Sequence, residues 1–238
     1  MEWRVQLSGD ESDLEELSKS LNSDSTRIFK DKGSYVLCSS AFHGMMEAQV
    51  IKDKAENILS YINGCSRLIE DFQQPIIISG IQSLSENGRR NQYIFPESVA
   101  IEVRMGRPTV SVNGKVEESY TYEELSNYIP LAIQDQNVAL VLYYLSTESN
   151  EIATLYKIYE IIDDDVGGER SIQNNGWTSR NQLERFRRTA NSPDAIKDNA
   201  RHGVQKYSPP KNPMSLDEAR YLILHLVRCW LDSKIMAK

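Results

Sequence analysis

The chain of 238 residues contains only three cysteines and no long apolar run. Cys38, Cys65 and Cys229 lie far apart and form no CxxC pair, so the sequence predicts neither a disulfide framework nor a zinc site. The longest apolar stretch, near Val138–Leu145, is much shorter than the roughly 20 residues of a membrane-spanning helix. The first residues lack the apolar core of a signal peptide. We therefore expect a soluble, cytoplasmic protein without membrane contact.

Several catalytic signatures are also missing. The sequence has no GxxxxGK[ST], GxGxxG, HExxH or GxSxG motif, which argues against a nucleotide hydrolase, a dehydrogenase, a zinc protease and an α/β-hydrolase. The acidic run Asp163–Asp165 invites a metal interpretation. However, consecutive helical residues point about 100° apart, so three adjacent carboxylates cannot face one ion. The sequence therefore predicts no metal and no cofactor.

The composition is that of a globular protein with an acidic balance. Hydrophobic residues make up 40% of the chain, which is enough to bury a core. At roughly 100–200 residues per domain, the length allows one large domain or two small ones. The net charge of −7 argues against a general attraction to nucleic acid or anionic membranes, but it allows a local basic patch.

The first half of the chain predicts an α+β fold. The expected elements, in chain order, are a strand at 3–7, a helix capped by Ser12, a hairpin of strands at 26–29 and 35–39 that turns at Lys32-Gly33, a helix over 44–63 that ends at Gly64, and a strand at 76–81. The order β-α-β-β-α-β is that of a ferredoxin-like split unit with an antiparallel sheet. We assign it to residues 1–117, with further strands expected at 93–104 and 109–112.

The second half, residues 118–238, predicts an all-α helical bundle. The expected signals are a capping box at Thr121 with a break or restart at Pro130, helices over 138–145 and 152–166, a short helix over 169–175, a helix capped by Thr178 or Ser179, a cap at Ser192-Pro193-Asp194, and a terminal helix that starts from a capping box at Ser215. The terminal helix carries one apolar stripe that includes Leu222, Leu226 and Trp230.

One stretch departs from the acidic character of the chain. Residues 170–211 contain nine basic and three acidic residues, a local net charge of +6. Basic side chains near Trp177, Phe186 and Tyr207 suit the phosphates and stacked bases of RNA. The predicted nucleic-acid-binding residues are Arg180, Arg187, Arg188, Lys197 and Lys206. The alternative is an ordinary solvated helix face whose aromatic residues lie in the core.

Arg201 and His202 stand together at the expected end of a helix, before Gly203. A histidine with a near-neutral pKa can transfer protons, and an adjacent guanidinium can hold a phosphate. These are the two parts needed for metal-free cleavage of RNA through its 2′-hydroxyl. The candidate catalytic set is His202 as general acid and base, Arg201 for the phosphate, and Asn199 to orient either. The alternative is a histidine that interacts with the helix dipole.

The second half resembles the HEPN class of helical domains. The resemblance rests on the run Asn199–Gly203 in a late helix, a proline-containing loop and a final amphipathic helix. The usual family motif is an arginine, four to six residues and a histidine; here Ala195, Ile196 and Lys197 stand where the arginine would fall before His202. Such domains are often RNA-cleaving effectors of bacterial toxin and phage-defence systems, and they usually dimerise. The resemblance implies a bacterial RNA-binding homo-oligomer.

Two functions from different classes follow. In the first, an RNA-binding and RNA-cleaving helical module is attached to an α+β sensing or docking domain. In the second, both halves form a non-enzymatic scaffold for a protein partner or an oligomer. The placement of the basic residues of 170–211 distinguishes the two functions. They converge on one surface with His202 in the first and scatter around the helices in the second.

Overall fold

The computed structural model describes residues 1–68, 74–85, 89–93, 95, 122–147, 151–192 and 210–236. The chain divides into two units. The first, here called the sheet unit, comprises 1–59 and 69–126; the second, the helical unit, comprises 60–68 and 127–238. The boundary expected between residues 117 and 118 lies outside the described residues, as do the strands expected at 109–112 and over most of 93–104.

The sheet unit contains a five-stranded antiparallel sheet in the order β2-β3-β1-β4-β5. Its elements are β1 (Glu2–Ser8), α1 (Glu11–Ser20), β2 (Thr26–Asp31), β3 (Ser34–Ser39), a 3₁₀ turn (Ser40–Phe42), α2 (Ala48–Ser66), β4 (Ile77–Leu84) and β5 (Arg90–Tyr93). Strand β1 pairs with both β3 and β4, and β2 pairs with β3. This is the strand order of a ferredoxin-like split unit with one strand added, and it confirms the predicted α+β class.

Alternation along β1 defines the core of this unit. Trp3, Val5 and Leu7 are buried, and the residues between them are partly exposed. The register places Leu37 of β3 and Ile81 of β4 opposite Val5, so these three side chains share one face of the sheet. Because successive side chains point to opposite faces, Arg4 and Gln6 lie on the other face, together with the buried Val36 and Cys38 of β3.

Turn and cap chemistry explains the local boundaries. Lys32 and Gly33 both have positive φ, of 50° and 90°, as the predicted two-residue hairpin turn requires. The cap of α1 was predicted wrongly. The Asp10 carboxylate, and not the Ser12 hydroxyl, accepts the backbone N–H groups of Ser12 and Asp13. Asp10 precedes the first helical residue, so its side chain can reach the unpaired amides of the first turn.

Every element described in the helical unit is a helix. These are the C-terminal part of α2, α3 (Tyr122–Gln134, which begins in the sheet unit), α4 (Gln136–Ser146), α5 (Ile152–Asp165), α6 (Glu169–Asn174), α7 (Arg180–Ala190) and α8 (Leu216–Met236). Helix α8 packs against α5 and buries Leu222, Leu226 and Trp230. The capping box predicted at Ser215 is present, because Ser215 and Glu218 exchange hydrogen bonds of 2.8 and 3.1 Å. Within the described residues, no helix is long and apolar enough to cross a membrane.

Gly64 does not end α2, as the sequence suggested, because the helix continues to Ser66. A Cβ atom on Gly64 would lie 2.1 Å from the backbone oxygen of Leu142 in α4. The glycine therefore permits a close approach of two helices and does not provide a positive-φ stop. Helix packing and helix termination both use glycine, so the residue type alone cannot distinguish them.

Pro130 does not break α3, which runs through it to Gln134. A proline inside a helix removes one backbone hydrogen bond at a cost of about 3 kcal/mol or more. Here its neighbours Ile129 and Leu131 are buried, and their burial offsets that cost. The break comes at Asp135, whose carboxylate caps the next helix, α4.

Candidate nucleic-acid interface

Helix α7 carries three of the five residues predicted to bind nucleic acid. It begins with a capping box formed by Ser179 and Gln182. Its buried side includes Leu183 and Phe186. The Phe186 ring stacks on Tyr156 of α5 with a centroid distance of 5.9 Å. This aromatic contact fixes α7 against α5, so the opposite side of the helix is the exposed one.

Arg180 and Arg188 lie on that exposed side with Glu184 between them, and Arg187 lies at its edge, beside the buried side. At 100° per residue the three arginines fall within an arc of about 100°, and all three are exposed. The structure thus brings these three predicted residues together on one surface, which we call the α7 face. Their positive charges are nevertheless compensated to different degrees.

Arg187 is paired with a carboxylate from another helix. Its guanidinium donates to Glu169 at the start of α6, and the Tyr159 hydroxyl donates to the same oxygen at 2.7 Å. Burial raises the pKa of Tyr159, and the hydrogen bond to Glu169 raises it further. The phenol therefore remains a donor, and Glu169 is held by two groups.

The surroundings of Arg188 and Arg180 differ from those of Arg187. Arg188 lies 3.8 Å from Glu184, an exposed pair one helical turn apart of the kind that contributes little to stability. Arg180 forms no ion pair with any carboxylate among the residues that the structure describes. The α7 face therefore offers a graded set of charges, with Arg180 the most available.

Arg185 has a structural role that sequence analysis did not foresee. Its guanidinium binds both carboxylate oxygens of Glu218 at 2.9 and 2.8 Å, and it also donates to the carbonyls of Asn212 and Pro213. These bonds fasten α7 to the chain that leads into α8. The partner is 33 residues away, so no local pattern marks the pair.

The predicted catalytic residues Asn199, Arg201 and His202 lie outside the described residues. Lys197 and Lys206, which the sequence predicts to bind nucleic acid, lie outside them as well. Their assignment to catalysis and to RNA binding stays a prediction from the sequence.

The three aspartates at the end of α5 have separate environments. Asp165 accepts hydrogen bonds from Lys234, Trp230 and Asn137, at 2.8, 2.8 and 2.7 Å. Asp164 is exposed, and burial raises the pKa of Asp163. Across the described ranges, no group of three histidine, cysteine, aspartate or glutamate residues could hold a metal ion.

The fold is thus a ferredoxin-like sheet unit followed by a helical unit whose α7 presents arginines. No protein-family model matches the chain, and searches of curated proteins and of solved structures also give no match.

Proposed function

We propose that the helical unit binds single-stranded RNA along the α7 face, with the phosphates as the main contacts. The observation that supports this is the sidedness of α7. Arg180 and Arg188 occupy the exposed side, Arg187 lies at its edge, and Leu183 and Phe186 occupy the buried side. Guanidinium groups bind phosphate through paired donors, and arginines along one helix face suit a phosphate backbone.

Arg180 and Arg188 carry the larger share of the proposed binding, because Arg187 is held by Glu169. Lys197 and Lys206 would add further phosphate contacts to those of the α7 face. Both are assigned from the sequence alone, since the basic segment continues beyond α7.

The test is the charge-reversed pair Arg180→Glu with Arg188→Glu. Binding of a labelled oligouridine is measured by fluorescence anisotropy over a range of salt concentrations. Each lost phosphate contact should lower the slope of log affinity against log salt by about 0.7. The pair should bind at least about tenfold more weakly than the parent protein.

The matched control is Lys19→Glu with Lys157→Glu, two exposed residues on α1 and α5. It changes the net charge equally and leaves the α7 face intact, so it should retain most of the affinity. Equal losses in both pairs would mean that only the total charge matters. A parent protein that binds no RNA at low salt would refute the proposal and favour the protein-interaction alternative.

Cleavage is a separate step of the proposal. His202 would act as general acid and base, Arg201 would hold the phosphate, and Asn199 would orient either. His202→Ala should then abolish cleavage and spare binding, and cleavage by the parent protein should persist in chelator. Light scattering would show whether the protein is the homodimer that the HEPN resemblance implies. Binding without cleavage would leave RNA binding as the whole activity.

A further inference from the structure

The contact between Glu169 and Arg187 puts a carboxylate where an RNA phosphate would bind. Both groups are anions that accept paired hydrogen bonds from a guanidinium, so they compete for the same donors. The Arg187 side chain is 46% exposed and that of Glu169 is 28% exposed, so solvent and a ligand can reach the pair.

The carboxylate side of this contact is crowded. Asp163, one turn after Tyr159 on α5, has a buried Oδ1 atom without a hydrogen-bond partner in the described part of the chain. Burial raises the pKa of Asp163, and the negative charge of Glu169 raises it further. Glu169 is therefore attracted by Arg187 and Tyr159 and repelled by Asp163. That repulsion weakens the ion pair between Glu169 and Arg187.

The short helix that carries Glu169 lies between glycines. Gly167 and Gly168 precede α6 with φ of 81° and 103°, and Gly176 follows it with φ of 72°. Backbone hydrogen bonds fix the glycines before α6, because the Gly167 and Gly168 amides donate to the carbonyls of Asp164 and Asp163. Ile172 anchors the middle of α6 in the core, whereas Glu169 is its first residue. A change of the Glu169 side-chain rotamer would therefore release Arg187 without moving either helix.

We infer that Glu169 is an autoinhibitory residue, which holds Arg187 and competes with an RNA phosphate for it. This inference rests on the proposed RNA binding. It predicts that Arg187 stays paired with Glu169 in a fraction of the complexes, so the parent protein makes, on average, fewer phosphate contacts than its arginines allow.

The test is Glu169→Gln, which keeps the size of the side chain and removes its charge. Oligouridine should bind about fivefold more tightly, the lower end of couplings between sites, and the salt slope should steepen by up to about 0.7, the value for one phosphate contact. The matched control is Asp164→Asn, which removes one exposed charge of the same region without touching Arg187. Asp164→Asn should give a smaller gain in RNA affinity and no change in the slope of log affinity against log salt.

A double-mutant cycle makes the test specific to the pair. In an Arg187→Gln background, Glu169→Gln should have only the effect of Asp164→Asn, because the competition no longer exists. A purely structural role for Glu169 would lower the melting temperature of Glu169→Gln and leave the salt slope unchanged.

Three outcomes separate the two proposals. The inference is supported if Glu169→Gln raises the RNA affinity more than Asp164→Asn does, and does so only when Arg187 is present. If the parent protein binds RNA through Arg180 and Arg188, but Glu169→Gln behaves like Asp164→Asn, only the autoinhibitory contact is refuted. If the parent protein binds no RNA at low salt, the proposed function fails and the inference fails with it.

Discussion

The arginines of the sheet unit and those of α7 are compensated in different ways. In the sheet unit, Arg4 and Arg90 both donate to one oxygen of Asp31, at 2.8 and 3.0 Å. Hydrogen bonds from the two guanidinium groups outweigh the partial burial of Asp31 and lower its pKa. In the helical unit, Arg185 and Arg187 each have a carboxylate of their own.

This difference shows why a charge count over a sequence window is a poor measure of available charge. The carboxylates of Arg185 and Arg187 are Glu218 and Glu169, and both lie just outside the basic segment 170–211. The segment therefore presents less positive charge than its composition indicates. Arg4 and Arg90 of the sheet unit form no cluster in the sequence, since they are separated by tens of residues in the chain.

The strongest test asks how far apolar packing, and not ion pairing, holds the helical unit together. Trp230 is 1% exposed on the apolar stripe of α8, so Trp230→Ala should destabilise the protein by about 3–5 kcal/mol. Chemical denaturation followed by circular dichroism measures the loss. Trp230→Phe keeps one aromatic ring but loses the rest of the indole and its hydrogen bond to Asp165, so it should cost less than Trp230→Ala. An unchanged midpoint for Trp230→Ala would contradict the docking of α8.

The second test changes Asp165, which accepts hydrogen bonds from Lys234, Trp230 and Asn137 in the helical unit. Asp165→Asn weakens its bonds to Lys234 and Trp230 and should cost about 2 kcal/mol near pH 7. Burial would raise the pKa of Asp165, but its hydrogen bonds, first that from Lys234, lower it.

The sign of the pH dependence follows from that lowered pKa. The stabilising effect of Asp165 is fully present above its unfolded-state pKa, near 3.9, and is lost as the pH falls through the lower folded-state value. The gap in urea midpoint between the parent protein and Asp165→Asn should therefore narrow as the pH falls below about 4. A constant difference in urea midpoint down to pH 2 would show that the negative charge of Asp165 does not cause the stabilisation.

The smallest effects on stability are expected from single substitutions of α7 arginines. They test directly whether ion-paired and exposed arginines differ. Arg185→Ala loses a bidentate ion pair and two bonds to carbonyls, and it should cost about 1 kcal/mol. The pair of Arg188 with Glu184 is longer, at 3.8 Å, and exposed, so Arg188→Ala should stay within about 0.5 kcal/mol. Thermal unfolding at low and high salt compares them. If Arg188→Ala were the more costly, the division into structural and exposed arginines would be wrong.

Much of the fold was predictable because its signals are local. The alternation at Trp3, Val5 and Leu7, the turn at Lys32-Gly33 and the capping box at Ser215 each lie within a few residues. Such patterns record which side of an element is buried and where it begins or ends. The candidate site was predictable only in part, since a helical period places Arg180, Arg187 and Arg188 on one side but does not reveal their partners.

The sequence by itself determined the identity and the buried sides of most described elements. The tertiary structure decided that Gly64 admits Leu142, that α3 continues through Pro130, and that Arg187 is occupied by Glu169. Each of these depends on a close approach between elements, or on burial, that only packing creates. Short-range preference can specify a helix and its apolar side, whereas the compensation of a charge depends on groups that long-range packing brings near it.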